Sequence, residues 1–382
     1  MLEIAVTSTR VAPSGTPTPG TTSRSGLDCR PPAGRWRLRW KLSVGLPFLG
    51  ILLLLTVIFA AAQGPAPVSY ASAGAILLNE LGVPLGGFSA VDQRIVEQIR
   101  LPRVLVGLLV GLALGVAGSV LQGLFRNPLA DPGIIGVSSG GALGAVLAIS
   151  TGLAATSRLA VPAAALAGAM LVAFAVFAIG MRRGPGAMLS VVLAGIALGA
   201  LTSALTSLAI SLTEDLERNR EILFWLLGGL DNRGWDHVRI VVIPVLLGTV
   251  LCLAAARELN LLLLGEESAL SLGVPVGALR ILLLIVAAGM TAIAVSVSGI
   301  ISFVGLVVPH VVRLLVGYDH RLVIPFSGMA GAIFLVLADV VARTAATPAE
   351  LRVGVVTSAV GAPFFLYLVF RQARGHARGS TL

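Results

Sequence analysis

Few side chains in this sequence could perform chemistry, and each lacks a partner the chemistry would need. Ser138 sits in Gly136-Val137-Ser138 and His310 follows Pro309 in apolar text, a pairing that suits an intramembrane serine protease. A serine nucleophile needs its base within ~3.2 Å, and the second glycine of the expected turn is replaced by Ser139. An ionisable group at membrane depth is a functional candidate by default. Pro309 also frees a backbone carbonyl that the imidazole could satisfy, so a structural histidine is the plainer reading. An ion-coupled secondary transporter would carry mid-membrane carboxylates, but only Asp339 approaches an apolar span, and at its end. Cys29 and Cys252 fall in different media, which argues against a disulfide. The single lysine, Lys41, stands between Trp40 and Leu42, so no Gly-Lys-Ser/Thr phosphate loop exists. Any ATP that drives this protein is therefore bound elsewhere.

The elements that must position these groups are apolar helices. Of 382 residues 56% are hydrophobic and 12% charged, which places the chain among polytopic membrane proteins. The net charge of +9 is dispersed between apolar spans without the aromatic and basic clustering of single-strand binders, which excludes nucleic acid as a partner. Residues 1–41 are rich in Ser, Thr, Pro, Gly and Arg and read as a disordered basic tail. Arg35, Arg37, Arg39 and Lys41 close it against the first apolar run, as expected of a cytoplasmic flank. Ala60-Ala61-Ala62 looks like a cleavage site, but the run before it exceeds the ~7–15 residues of a signal sequence, which favours a retained anchor.

Ten spans are expected, over residues 42–62, 104–125, 133–152, 159–181, 188–211, 238–256, 281–297, 301–315, 322–338 and 353–370. Most approach the ~20 residues that cross a ~30 Å hydrocarbon core. The uncharged run 281–312 would be ~48 Å as one helix at 1.5 Å per residue, too long for one crossing, so Ser296, Ser298 and Gly299 are expected to turn it. An even count puts both termini on one side, and Arg371, Arg374 and Arg378 match the basic start, a weak sign that this side is the cytoplasm. The fold class is thus all-α and polytopic, with a permease domain over residues 42–371 and a C-terminal tail over 372–382.

At the centre of this organisation are residues 100–144, two apolar stretches joined by Arg126-Asn127-Pro128-Leu129-Ala130-Asp131-Pro132-Gly133. Gly107, Gly111 and Gly115 recur every fourth position before the turn, and Gly136, Gly140 and Gly144 after it, so close helix packing is expected on both. Pro128 biases Asn127 away from helix and Asp131 can cap the helix that follows, which predicts a tight turn at Arg126, Asn127 and Pro128.

Together with Arg100-Leu-Pro-Arg103, Gln122 and Gly136-Val-Ser138, this stretch resembles the FecCD-type permeases of ABC importers, which import iron-siderophores, haem and cobalamin. The resemblance resumes at residues 265–274, 305–313, 319–321, 348–354 and 361–365 and covers roughly residues 42–371. It implies a type II ABC importer permease fold in the cell membrane with both termini cytoplasmic. It also implies separate ATPase subunits that bind ATP and Mg, a second permease chain, identical or paralogous, and an extracytoplasmic substrate-binding protein. The chain itself would carry no cofactor and no metal. The resemblance further makes Gly265, Glu266, Glu267, Ser268, Leu272, Gly273 and Val274 a coupling element for the ATPase, where the residues alone read as a solvated loop. Arg100, Arg103 and Arg343 become docking charges for an acidic binding protein; the residues alone suggest snorkelling to lipid phosphate, or pairing of Arg343 with Asp339 four residues before it. Arg352 lies near them. Residues 222–230 hold Trp225, Gly228 and Gly229 in a short apolar piece that could be an outer gate or an interfacial helix. Iron-siderophore is the expected cargo because it is common in the family.

Overall fold

The computed structural model describes residues 41–379 apart from 81, 84, 181–186 and 347–348. The basic flank Arg35, Arg37 and Arg39, the remainder of the tail and Cys29 lie outside the described residues. Among those described, every regular element is a helix. Six of the membrane-length helices are α1 (Lys41–Ala62), α3 (Ala90–Leu124), α5 (Ala160–Gly180), α8 (Trp235–Ala254), α11 (Val276–Ser298) and α13 (His320–Thr344), and α6 (Ala187–Ser211) is the seventh. Three shorter apolar helices are α4 (Val137–Ser150), α12 (Val304–Val316) and α14 (Val353–Gly379, apolar to Leu368). The ten expected apolar segments thus all form helices, and α14 continues through the residues read as a C-terminal tail.

Among the described residues there are also four small α-helices, α2 (Tyr70–Glu80), α7 (Leu216–Leu226), α9 (Ala256–Leu262) and α10 (Glu266–Ser271). Sequence reading missed α2, whose apolar stretch is too short to cross. It buries Ala73 and Ile76 against Ala61, Ala62, Val68 and Val96 instead.

The axis of the molecule is α3. It packs along α13 and also meets α8, α11 and α12, while α1 lies outside against α13. Close approach explains the glycine stripe, since a methyl on Gly111 or Gly115 would collide with the carbonyl of Gly331 or Ser327 in α13. In lipid no water drives helices together, so this backbone-to-backbone contact is the available source of cohesion. The second stripe has a different partner: Gly140 and Gly144 of α4 press on Gly168 and Ala164 of α5. The two stripes therefore do not meet each other.

Helix α3 also begins 14 residues before the expected start at 104. Ser89 caps it, accepting from Asp92 N at 3.0 Å. Pro102, which has no N–H to donate, is accommodated by a π-helical turn over Ile95–Arg100 rather than by a break. The run 281–312 does turn, but at Gly299, whose φ is +67°; Ser296 and Ser298 remain helical, each donating its hydroxyl back to a preceding carbonyl.

Candidate functional site

The bundle has two polar ends. At the first, Arg126 adopts φ +49°, Asn127 Oδ1 accepts from Leu129 N at 2.9 Å, and Asp131 Oδ1 accepts from Gly133 N at 2.7 Å. This is the tight turn that the Asn-Pro and Asp-Pro pairs predict. Burial pushes the Asp131 carboxyl above its ordinary pKa, opposed by the Gly133 hydrogen bond. Arg126 reaches across to the carbonyl of Leu262, so the turn and the segment 256–275 share one end.

That segment carries the residues expected to couple. Gly265 (φ +118°) precedes α10, and Gly273 (φ +81°) follows it. Glu266 is gripped by Arg280 through two bonds of 3.0 and 2.9 Å, possible because α11 begins at Val276 and not at the expected 281. Val274 is buried, but Glu267 and Ser268 are exposed and Leu264 and Leu272 stand 65% and 61% exposed. A short helix thus presents apolar and acidic side chains away from the bundle, on a base held by Asn260. The Asn260 amide donates to Asp319 at 2.6 Å, and its oxygen accepts from His320 N at 2.8 Å.

Between the two ends, the carbonyl of Gly305 freed by Pro309 accepts from Gln122 Nε2 at 3.3 Å, with Leu306 O at 3.0 Å. His310, expected to serve that carbonyl, has no hydrogen-bond partner among the described residues. Nor does any hydrogen bond join it to Ser138, which lines a separate ~100 Å³ cavity with Asp131, Thr291 and Ser302. The serine and base pairing is therefore not assembled.

At the second end Arg100, Arg103 and Arg343, the arginines expected to dock a partner, are engaged within the chain, and the expected pairing of Arg343 with Asp339 is present. Arg100 is 4% exposed and donates to the carbonyls of Ala61 (2.8 Å), Ala62 (2.7 Å) and Ala66 at the exit of α1. Arg343 is 3% exposed and donates to Gln63 O (2.8 Å) and Ala60 O (2.6 Å), beside Asp339 at 3.3 Å. Arg103 lies among three carboxylates, Asp339 at 2.9 Å and Asp231 and Glu350 at 3.1 Å. Arg352 also pairs with Asp231 and stacks 4.0 Å over the Phe224 ring. Helix exits leave carbonyls without helical donors, and guanidinium forks satisfy them here. Arg100 and Arg343 are both buried, so snorkelling to lipid does not describe them.

Trp225, Gly228 and Gly229 sit beside this cluster. Gly228 has φ +70° and lies so close to Ile300 that a side chain would strike its carbonyl. Gly229 N donates to Ser298 O at 2.8 Å, and Gly354 N to Gly228 O at 3.2 Å. The turn after α7 is thereby stitched to the α11 exit and the α14 start. Trp225 and Gly229 line a half-open cavity of ~650 Å³ that also contains Arg158, Arg233 and His237. Sequence reading missed that cavity, because its walls come from four distant segments.

Against known proteins, residues 52–371 match the family described as the FecCD transport family. The chain is 42% identical over 355 residues to the cobalamin import system permease protein BtuC of Halobacterium salinarum, covering 84% of this chain and 94% of that one. It is 39% identical over 335 residues to the uncharacterized ABC transporter permease protein YvrB of Bacillus subtilis, covering 87% and 94%. It is 39% identical over 342 residues to the vitamin B12 import system permease protein BtuC of Salmonella paratyphi A, covering 89% and 97%. A solved inward-facing conformation of an ABC transporter assigned to the metal-chelate type superposes with a TM-score of 0.76 at 34% identity, covering 85% of this chain and 98% of that one.

Proposed function

The chain belongs to the FecCD transport family, as a multi-pass permease of an ABC importer, and from that premise we propose that its path carries a cobalamin-like metal chelate. The observation that carries this reading is the 42% identity, across nearly the whole length of both chains, to a permease named for cobalamin. The iron-siderophore expected from sequence is the second reading, supported by the 34% identical structure of metal-chelate type.

In this reading two permease chains surround the path and separate ATPase chains seat on α10, with Glu267, Ser268 and Leu272 as contact side chains and Gly265 and Gly273 setting the bends. Glu266 acts through Arg280, holding α10 against α11. The end bearing α10 then faces the cytoplasm, with both termini, and the arginine end faces an extracytoplasmic binding protein. The stitched turn at Trp225, Gly228 and Gly229 acts as a gate at that outer end.

The test is uptake into proteoliposomes holding the permease, its ATPase and its binding protein, with the membrane potential collapsed. ATP-dependent accumulation of labelled cyanocobalamin, and not of a ferric siderophore, is expected. Accumulation of the siderophore alone replaces the first reading with the second, and uptake driven by an ion gradient without ATP removes both.

A further inference from the structure

The ~650 Å³ cavity at the arginine end has the size of a small-molecule site, within the usual ~300–1,000 Å³. Its charges are unevenly matched. Of its carboxylates, Asp231 is already held by Arg103 and Arg352, while Glu221 on α7 forms no ion pair with any lining arginine. In the adjoining cleft Asp236 turns to Arg239 at 3.7 Å. Two guanidiniums shared by the cavity and the cleft, Arg158 and Arg233, are left without a carboxylate among the described residues. Among the described residues the Arg158 side chain makes no hydrogen bond. Arg233 meets only His237 Nε2, at 3.4 Å, and its own Nε is buried with no acceptor. Burial and the nearby Arg103 lower the Arg233 pKa to about 10, which leaves it cationic at neutral pH.

A buried guanidinium donor without an acceptor is costly, and a bidentate oxyanion is the group whose geometry relieves it. We propose that Arg158 and Arg233, backed by His237, form a binding site for an oxyanion group, carboxylate or phosphate, of the small molecule being transported. The proposal rests on the importer reading and adds that the solute enters anionic group first. The cavity is concave and the Arg233 fork lies at its wall, which suits a small solute better than a flat partner surface. Phe224, 47% exposed beside the buried Trp225 in the same wall, offers apolar surface for the remainder of the solute.

The test uses the full chain in phosphatidylcholine nanodiscs at constant ionic strength, with citrate as probe and saturation-transfer NMR as readout. Saturable citrate binding is expected, displaced by inorganic phosphate and absent for neutral triethyl citrate. Arg158→Gln and Arg233→Gln should each weaken it at least tenfold, Arg233→Lys less, and Arg239→Gln on the exposed face not at all. Arg158 is exposed and forms no hydrogen bond or ion pair among the described residues, so its variant remains informative if Arg233→Gln misfolds. Binding that is unsaturable, or unchanged in Arg158→Gln, overturns the proposal. So does loss of citrate binding when phosphatidylglycerol is added, which would give the site to a lipid headgroup. Weakened binding of the acidic binding protein with citrate unaffected would give it to a protein carboxylate and overturn it equally. Because the probe is read on the permease alone, failure here leaves ATP-driven uptake to be judged by itself.

Discussion

The guanidinium of Arg313 donates to the side-chain oxygen of Gln122, while the amide nitrogen of the same Gln122 donates to Leu306 O at 3.0 Å. One glutamine thus bridges a buried cation on α12 and the Gly305 carbonyl that Pro309 leaves without a helical donor, with Leu306 O beside it. Arg313 also donates to Ser119 O at 2.9 Å, so α3 and α12 are joined by a polar network without a carboxylate.

Removing the bridge should be expensive. Gln122→Leu leaves Arg313 with one acceptor and leaves the Gly305 carbonyl unserved, a loss of about 2–4 kcal/mol. Thermal unfolding in detergent would register it, and an unchanged midpoint would show that water replaces the amide.

The buried arginines give a contrast between structure and docking. Arg100→Met should lower the unfolding midpoint and free the α1 exit to proteolysis, because three carbonyls lose their donor. A docking charge would instead slow association with an acidic partner and flatten its salt dependence while leaving stability intact. Stopped-flow association beside a melting curve separates the two outcomes.

Steric fit of the α3 stripe is testable with a matched pair. Gly111→Ala drives a methyl into the Gly331 carbonyl and should cost about 1–3 kcal/mol or abolish expression. Gly289→Ala on α11 meets nothing within 4 Å and should be neutral, or stabilising by about 0.5–1 kcal/mol. Equal effects at both positions would dismiss close packing as the reason for the stripe.

Coupling can be probed at the loop after α10. Leu272 is 61% exposed on the loop after α10, so Leu272→Asp should preserve the melting temperature yet reduce co-purification of the ATPase at least tenfold. Replacing Gly273 and Val274 with bulky polar residues should uncouple ATP hydrolysis from transport. Normal transport by both variants would move the ATPase contact elsewhere.

Sidedness follows from the two ends. In a background lacking Cys29 and Cys252, Asn127→Cys should react with an impermeant thiol reagent only from the cytoplasm, and Asn232→Cys only from outside. Both are exposed and lie at opposite ends. Labelling of both from one side would break the topology.

Hydropathy alone determined the ten apolar helices, since a segment that must bury its backbone in hydrocarbon declares itself by length and the absence of charge. Local chemistry determined the turn at Asn127 and Asp131 and the reversal at Gly299, because capping and positive φ depend on near neighbours. What the sequence could not declare is partnership. Arg100 and Arg343 read as misplaced charge, and although the i,i+4 spacing pointed Arg343 to Asp339, only the folded chain brings the carbonyls at the α1 exit to both arginines. The extension of α3 back to Ala90 was hidden for the same reason: its arginines look like a boundary until their distant acceptors are in place. Which glycine stripe meets which helix, and which arginines enclose a common cavity, are settled by contacts between residues far apart in the chain. No periodicity within one helix encodes them.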